Sequence, residues 1–157
     1  MKYLLPLLLL LVIEYSASAR LGETETQIEA RYGKPTEILT PLKDNLPRKV
    51  YEKNGMEIIV SYINGKSCSE DYSHQGGDNA PPITSDEVAE LLNKNSLDSD
   101  WILEKGSIRS RLATWHLKSG DAKAYYFGTD LALVTKECEK LQLEKDTFDK
   151  PISLKGF

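Results

Sequence analysis

The chain has 157 residues, 28% of them charged, and a formal net charge of -4 at pH 7. That length fills one core and leaves too little for two. Charges of both signs are dispersed, which excludes the basic footprint of a nucleic-acid or anionic-lipid binder.

Lys2, the apolar run from Leu4 to Ile13 and the small residues Ala17-Ser18-Ala19 are the three parts of a secretory signal, so residues 1–19 are expected to be cleaved after Ala19. The run is short for a bilayer span, and no cysteine lies near the cleavage site to carry a lipid anchor. No membrane insertion is expected after cleavage, which removes both Lys2 and Glu14 and leaves the net charge unchanged.

A first helix starts at Thr24, with Gln27 three residues on as its capping-box partner. It carries Ile28 and Tyr32 on one face and stops at Gly33 and Pro35. Residues 34–48 hold Pro35, Pro41 and Pro47 and read as an extended connection. A β-meander follows, with Val50 to Lys53, Met56 to Ile63 and Lys66 to Tyr72 joined by Asn54-Gly55 and Asn64-Gly65, the dipeptide suited to type I′ turns. Two-residue turns would put Tyr51 opposite Ile58 and Ser61 opposite Cys68. Tyr51, Met56, Ile58, Val60 and Tyr62 then share the core face, with Cys68 on the other face beside Ile59 and Ile63.

After a Gly- and Pro-rich loop, a second helix opens at Thr84 with Glu87 at its third position. Ile83 is placed to pack on Val88, and Val88, Leu91 and Leu92 form the buried stripe. Residues 95–106 read as a connection in which Trp101 and Leu103 cover an edge of the core. Strands are predicted from Arg111 to Leu117, Ala122 to Phe127 and Leu131 to Thr135. Residues 137–157 are a charged tail, either a strand extension or a frayed helix at its start.

Setting Thr24 on Thr84 aligns Gln27 with Glu87, Ile28 with Val88 and Tyr32 with Leu92. The expected fold class is therefore α+β, a single domain over residues 20–136. Two helix-plus-hairpin repeats, about 22–72 and 84–135, would form one antiparallel sheet of five to six strands with the short helices packed on one face.

Gly22, Thr24, Gln27, Ile28, Tyr32, Gly33 and Pro35, followed by an aromatic strand and a hairpin, resemble the SmpA/OmlA pattern of the small lipoprotein subunit of the bacterial outer-membrane barrel-assembly machinery. The doubled layout is similar to that of the β-lactamase inhibitory protein. The resemblance implies a protein that binds other proteins in the cell envelope or outside it. It carries over no functional residue, and the lipoprotein cysteine is absent.

Chemistry-bearing residues are sparse. His74 lies among Asp71, Gly76, Gly77 and Asp78, a composition open to an acid-base or metal role, although its spacing matches no standard ligand pattern and such residues are the usual make-up of a solvated loop. His116 alternates with Trp115 and Leu117 and should face away from the core. Cys68 and Cys138 form a disulfide or remain two separate thiols, and distance decides. No phosphate loop, nucleophile triad or zinc-type cysteine pair occurs, so no catalytic, cofactor or metal residue is assigned. Strand alternation sends Tyr125 and Phe127 to the face opposite Tyr126, and with His116 they make the candidate interaction surface. The function expected is a non-enzymatic, periplasmic or secreted protein-binding module. A secreted hydrolase inhibitor and a small hydrolytic or metal-dependent enzyme using His74 are the alternatives.

Overall fold

A computed structural model describes residues 21–42 and 44–148; the predicted signal and the C-terminal part of the charged tail lie outside the described residues. The order is α1 (Glu25–Tyr32), β1 (Glu37–Leu39), β2 (Arg48–Lys53), β3 (Met56–Ile63), β4 (Lys66–His74), α2 (Ser85–Lys94), β5 (Trp101–Ser107), β6 (Leu112–Leu117), β7 (Ala122–Tyr126), β8 (Asp130–Thr135) and α3 (Lys136–Phe148). All eight strands join one antiparallel sheet in the order β1-β2-β3-β4-β8-β7-β6-β5. The chain meanders inward to β4, crosses through α2 to the far edge, and meanders back until β8 closes on β4.

Local signals act where the sequence places them. Thr24 and Thr84 each make a full capping box, with Gln27 and Glu87 bonding back to the cap backbone. Asn54-Gly55 and Asn64-Gly65 have positive φ at both residues, as a type I′ turn requires. Tyr51 pairs with Ile58.

The expected fold class is corrected. The described residues form a mostly β fold, one eight-stranded sheet with three α-helices, not two helix-plus-hairpin repeats with five to six strands and helices on one face. Two strands lie in segments read as connections: β1 among the prolines, and β5, whose Trp101 donates its indole N–H to Leu92 O at 2.7 Å. Residues 137–148, grouped by sequence with the tail, belong to α3.

The helices occupy both faces. α1 and α2 cover a core that includes Ile28, Tyr51, Ile58, Tyr72, Val88, Trp115, Leu131 and Leu133. The other face holds a smaller cluster of Leu46, Cys68, Val134 and Cys138, with Leu141 of α3 packed against it. A bulge in the β3–β4 ladder produces this second cluster. Ser61 pairs with Ser69 rather than Cys68, and Tyr62 pairs with Ser67, so Cys68 is the extra residue. Being unpaired, it stays on the second face although the register has slipped.

Candidate functional site

One concave feature of the described surface is a cleft of about 370 Å³ between the two helices that share a face. Arg31 and Tyr32 of α1 form one wall, and Glu87, Glu90, Leu91 and Lys94 of α2 the other. Met56 and Ile58 of β3 and Tyr72 of β4 make its floor, with Lys53 and Asn54 at the hairpin end. The floor is apolar and aromatic because strand alternation turns these three side chains to the core face, while the charges stand on helix flanks around the rim.

Beneath that floor lies a fully buried carboxylate. Glu70 shares the core face with Tyr72 and accepts at Oε2 from the Tyr72 hydroxyl at 2.5 Å and the Tyr32 hydroxyl at 2.9 Å. The two hydroxyls are 3.0 Å apart. Asn95, also fully buried, donates from Nδ2 to the Tyr72 hydroxyl at 3.3 Å and to Leu91 O at 3.1 Å. Arg31 pairs with Glu23, lies 5.2 Å over the Tyr32 ring, and holds Nη1 3.9 Å from Glu70 Oε1.

Burial raises the Glu70 carboxyl above the usual range, against the opposing pull of the tyrosine bonds and the Arg31 charge. Burial likewise pushes the Tyr32 and Tyr72 hydroxyls up. Glu70 Oε2 is spent on the two tyrosines, which ties the wall to the floor, while Glu70 Oε1, Arg31 Nη1 and Asn95 Oδ1 are buried without a hydrogen-bond partner among the described residues. Sequence reasoning missed Glu70, Arg31, Tyr32 and Asn95 as site residues. The available signal was Glu70 two residues before Tyr72 in a strand, which puts a carboxylate on an otherwise apolar face.

His74 reaches the edge of this region, with Nε2 3.3 Å from Glu87 Oε2. Glu87 is already committed to the α2 cap, and the Thr84 backbone N–H, more than His74, holds its carboxyl low. Among the described residues no group of three or more His, Cys, Asp or Glu side chains is placed to hold a metal ion.

The second face does not present Tyr125, Phe127 and His116 as one aromatic surface. The Tyr125 hydroxyl donates to Glu139 of α3, which also pairs with Lys123 at 2.9 Å, so the helix covers this ring. Burial and then the Glu139 carboxylate push the Tyr125 hydroxyl up to about 12. Phe127 is 58% exposed in the turn beyond β7. His116 stands 3.8 Å from Glu104 near the β5 edge, where Ile102 and Leu112 are also exposed. Cys68 and Cys138 are unbonded thiols, both buried.

Asp71 lies on the second face between Ile59 of β3 and Ala132 of β8, and burial raises its carboxyl from 3.8 to about 6, although Ser69 donates to it. Below pH 3.8 it is protonated whether the chain is folded or not, and nothing is lost. Between there and about pH 6 the unfolded chain ionises first, so stability falls with rising pH, and above that the loss is complete. We expect Asp71→Asn to recover about 3 kcal/mol at pH 7 and almost nothing at pH 3.5. Urea melts of both proteins across this range check it; an equal change at both pH values would contradict the burial argument.

No protein-family model matches the chain, and no curated protein matches it in sequence. Among solved structures it is similar to a cysteine-rich secretory protein from Staphylococcus aureus subsp. aureus Mu50, at 17% identity and a TM-score of 0.43, covering 74% of this chain and 45% of that one. It is also similar to an extracellular protein containing a SCP domain from Bacillus anthracis str. Ames, at 13% identity and a TM-score of 0.45, covering 78% and 46%. The chain thus spans less than half the length of either.

Proposed function

We propose that this chain is an exported, non-enzymatic protein-binding module that receives a protruding apolar or aromatic side chain of its partner in the cleft between α1 and α2. The observation that carries the reading is the make-up of the cleft. Its floor of Met56, Ile58 and Tyr72 is apolar, and its rim carries Arg31, Lys53 and Lys94 with Glu87 and Glu90, the arrangement of an anchor pocket inside a polar ring. A rim of both signs suits a partner segment with charges flanking the anchor. Export rests on the N-terminal pattern of Lys2, Leu4 to Ile13 and Ala17-Ser18-Ala19.

A photo-crosslinking residue at Leu91, on the cleft wall, should trap one discrete partner in cells, and the same residue at Leu112, exposed on the second face, should not. Leu91→Glu should then weaken that complex by more than about tenfold. Equal trapping at both positions, or an affinity indifferent to Leu91→Glu, would remove the cleft from the interface. His74→Ala should leave the complex unchanged; its loss would revive the enzyme alternative.

A further inference from the structure

Among its described residues, α3 meets the sheet through Cys138, Glu139 and Leu141. Thr135 caps it, accepting from the Cys138 N–H at 3.3 Å, which puts Cys138 in the first helical turn. Glu139 bonds to Tyr125 and Lys123, and Leu141 packs partly against the second-face cluster. Of the α3 residues whose burial is described, Cys138 is the fully buried one. The β4 bulge leaves Cys68 out of the ladder, and it falls in the same buried cluster as Cys138, with Leu46 and Val134.

We infer that Cys68 and Cys138 are a disulfide-forming pair whose oxidation pins α3 over the second face of the sheet, and whose reduction lets α3 lift from Tyr125. Both thiols are buried in one cluster, where Cys138 is the neighbouring group that acts on Cys68. That effect, together with burial, makes the Cys68 proton hard to remove, so exchange takes place when α3 is lifted and its product is shielded when α3 returns. The oxidant required is a disulfide donor, such as glutathione disulfide or a thiol–disulfide oxidoreductase. One thiol loses its proton, and the thiolate attacks a donor sulfur, breaking the donor S–S bond and expelling one donor thiolate. The second thiol, deprotonated in turn, attacks the mixed disulfide and expels the other. Two protons and two electrons leave the protein, and the donor leaves as two thiols.

The bond would close a loop of roughly 70 residues, the long-loop case in which a cross-link most restricts the unfolded chain. Its occupancy in cells rests on the export reading, because a reducing compartment would keep the thiols apart. Its formation in vitro does not.

The purified protein, incubated with glutathione disulfide, acid-quenched, unfolded and alkylated, is expected to take up no alkylating reagent and to weigh two hydrogens less. Dithiothreitol should then lower Tm by about 5–10 °C. It should also speed tryptic cleavage at Lys136 and Lys140 of α3 more than about tenfold, by the opening logic that governs proteolysis. Cys138→Ala and the double variant Cys68→Ala/Cys138→Ala should show neither redox-dependent change. Thiols that stay alkylatable after oxidation, or a bond that forms without altering α3 cleavage or Tm, would overturn the inference. A bond that forms in vitro but is missing from protein acid-trapped in cells would instead count against export.

Discussion

Ile28→Ala should lower folding stability by about 3–4 kcal/mol, the range for truncating a large aliphatic side chain in a closed core. Ile28 is fully buried and is the buried residue of α1, a helix of 8 residues that is too short to persist alone. The Thr24–Gln27 box satisfies its first donors, and Lys49 meets Glu25 and Glu29 at 3.1 and 3.7 Å, but these are contacts at the helix start and outer flank. Docking depends on Ile28, on Tyr32, whose ring lies 5.9 Å from that of Tyr51, and on the Tyr32 bond to Glu70. Losing Ile28 should therefore loosen the whole element and, with it, the Arg31 and Tyr32 wall of the cleft. Chemical unfolding gives the energy, and amide exchange shows whether α1 protection falls further than that of β3. A loss below about 1 kcal/mol would mean that the site collapses to fill the space and α1 is held by its polar contacts.

The second large effect is expected at Gly106→Ala. Gly106 lies in β5 just past the bulge at Leu103–Lys105, with φ +80°, and a Cβ there would sit 2.0 Å from Leu112 O and 2.9 Å from Leu112 C. Both neighbours are backbone of the paired strand and cannot swing aside. The substitution should cost about 2–4 kcal/mol through positive-φ strain and separation of the strands. Gly55→Ala is the control, because Gly55 has the same φ of +80° and nothing within 4 Å, so it isolates the backbone contribution of about 1 kcal/mol. Thermal melts of the two variants, with exchange rates of β5 and β6 amides, decide the matter. Equal losses would show that close approach at Leu112 contributes nothing.

Several parts of the site were legible in the residues. Leu91, on the cleft wall, came from helical spacing behind the Thr84 cap, and Met56 and Ile58, on its floor, came from hairpin alternation. Glu70 was not legible as a buried group, because a carboxylate in Ser69-Glu70-Asp71 ordinarily points to solvent. Only the tyrosines and Arg31, distant in sequence, make its burial tolerable. The place of α3 was hidden for a related reason: the charged run after Lys136 reads as a solvated helix face or a tail, yet Glu139 bonds to Tyr125 and Lys123.

What the sequence determined alone is what neighbours along the chain decide between themselves: the two capping boxes, the Asn-Gly turns, and the pairing of Tyr51 with Ile58 that a two-residue turn enforces. Tertiary structure alone decided that β1 and β5 are strands, that β8 closes on β4, that the bulge takes Cys68 out of register, and that α3 lies on the face opposite the other helices. These outcomes depend on backbone partners and buried surface contributed from tens of residues away, so no local window contains the groups whose free energies settle them.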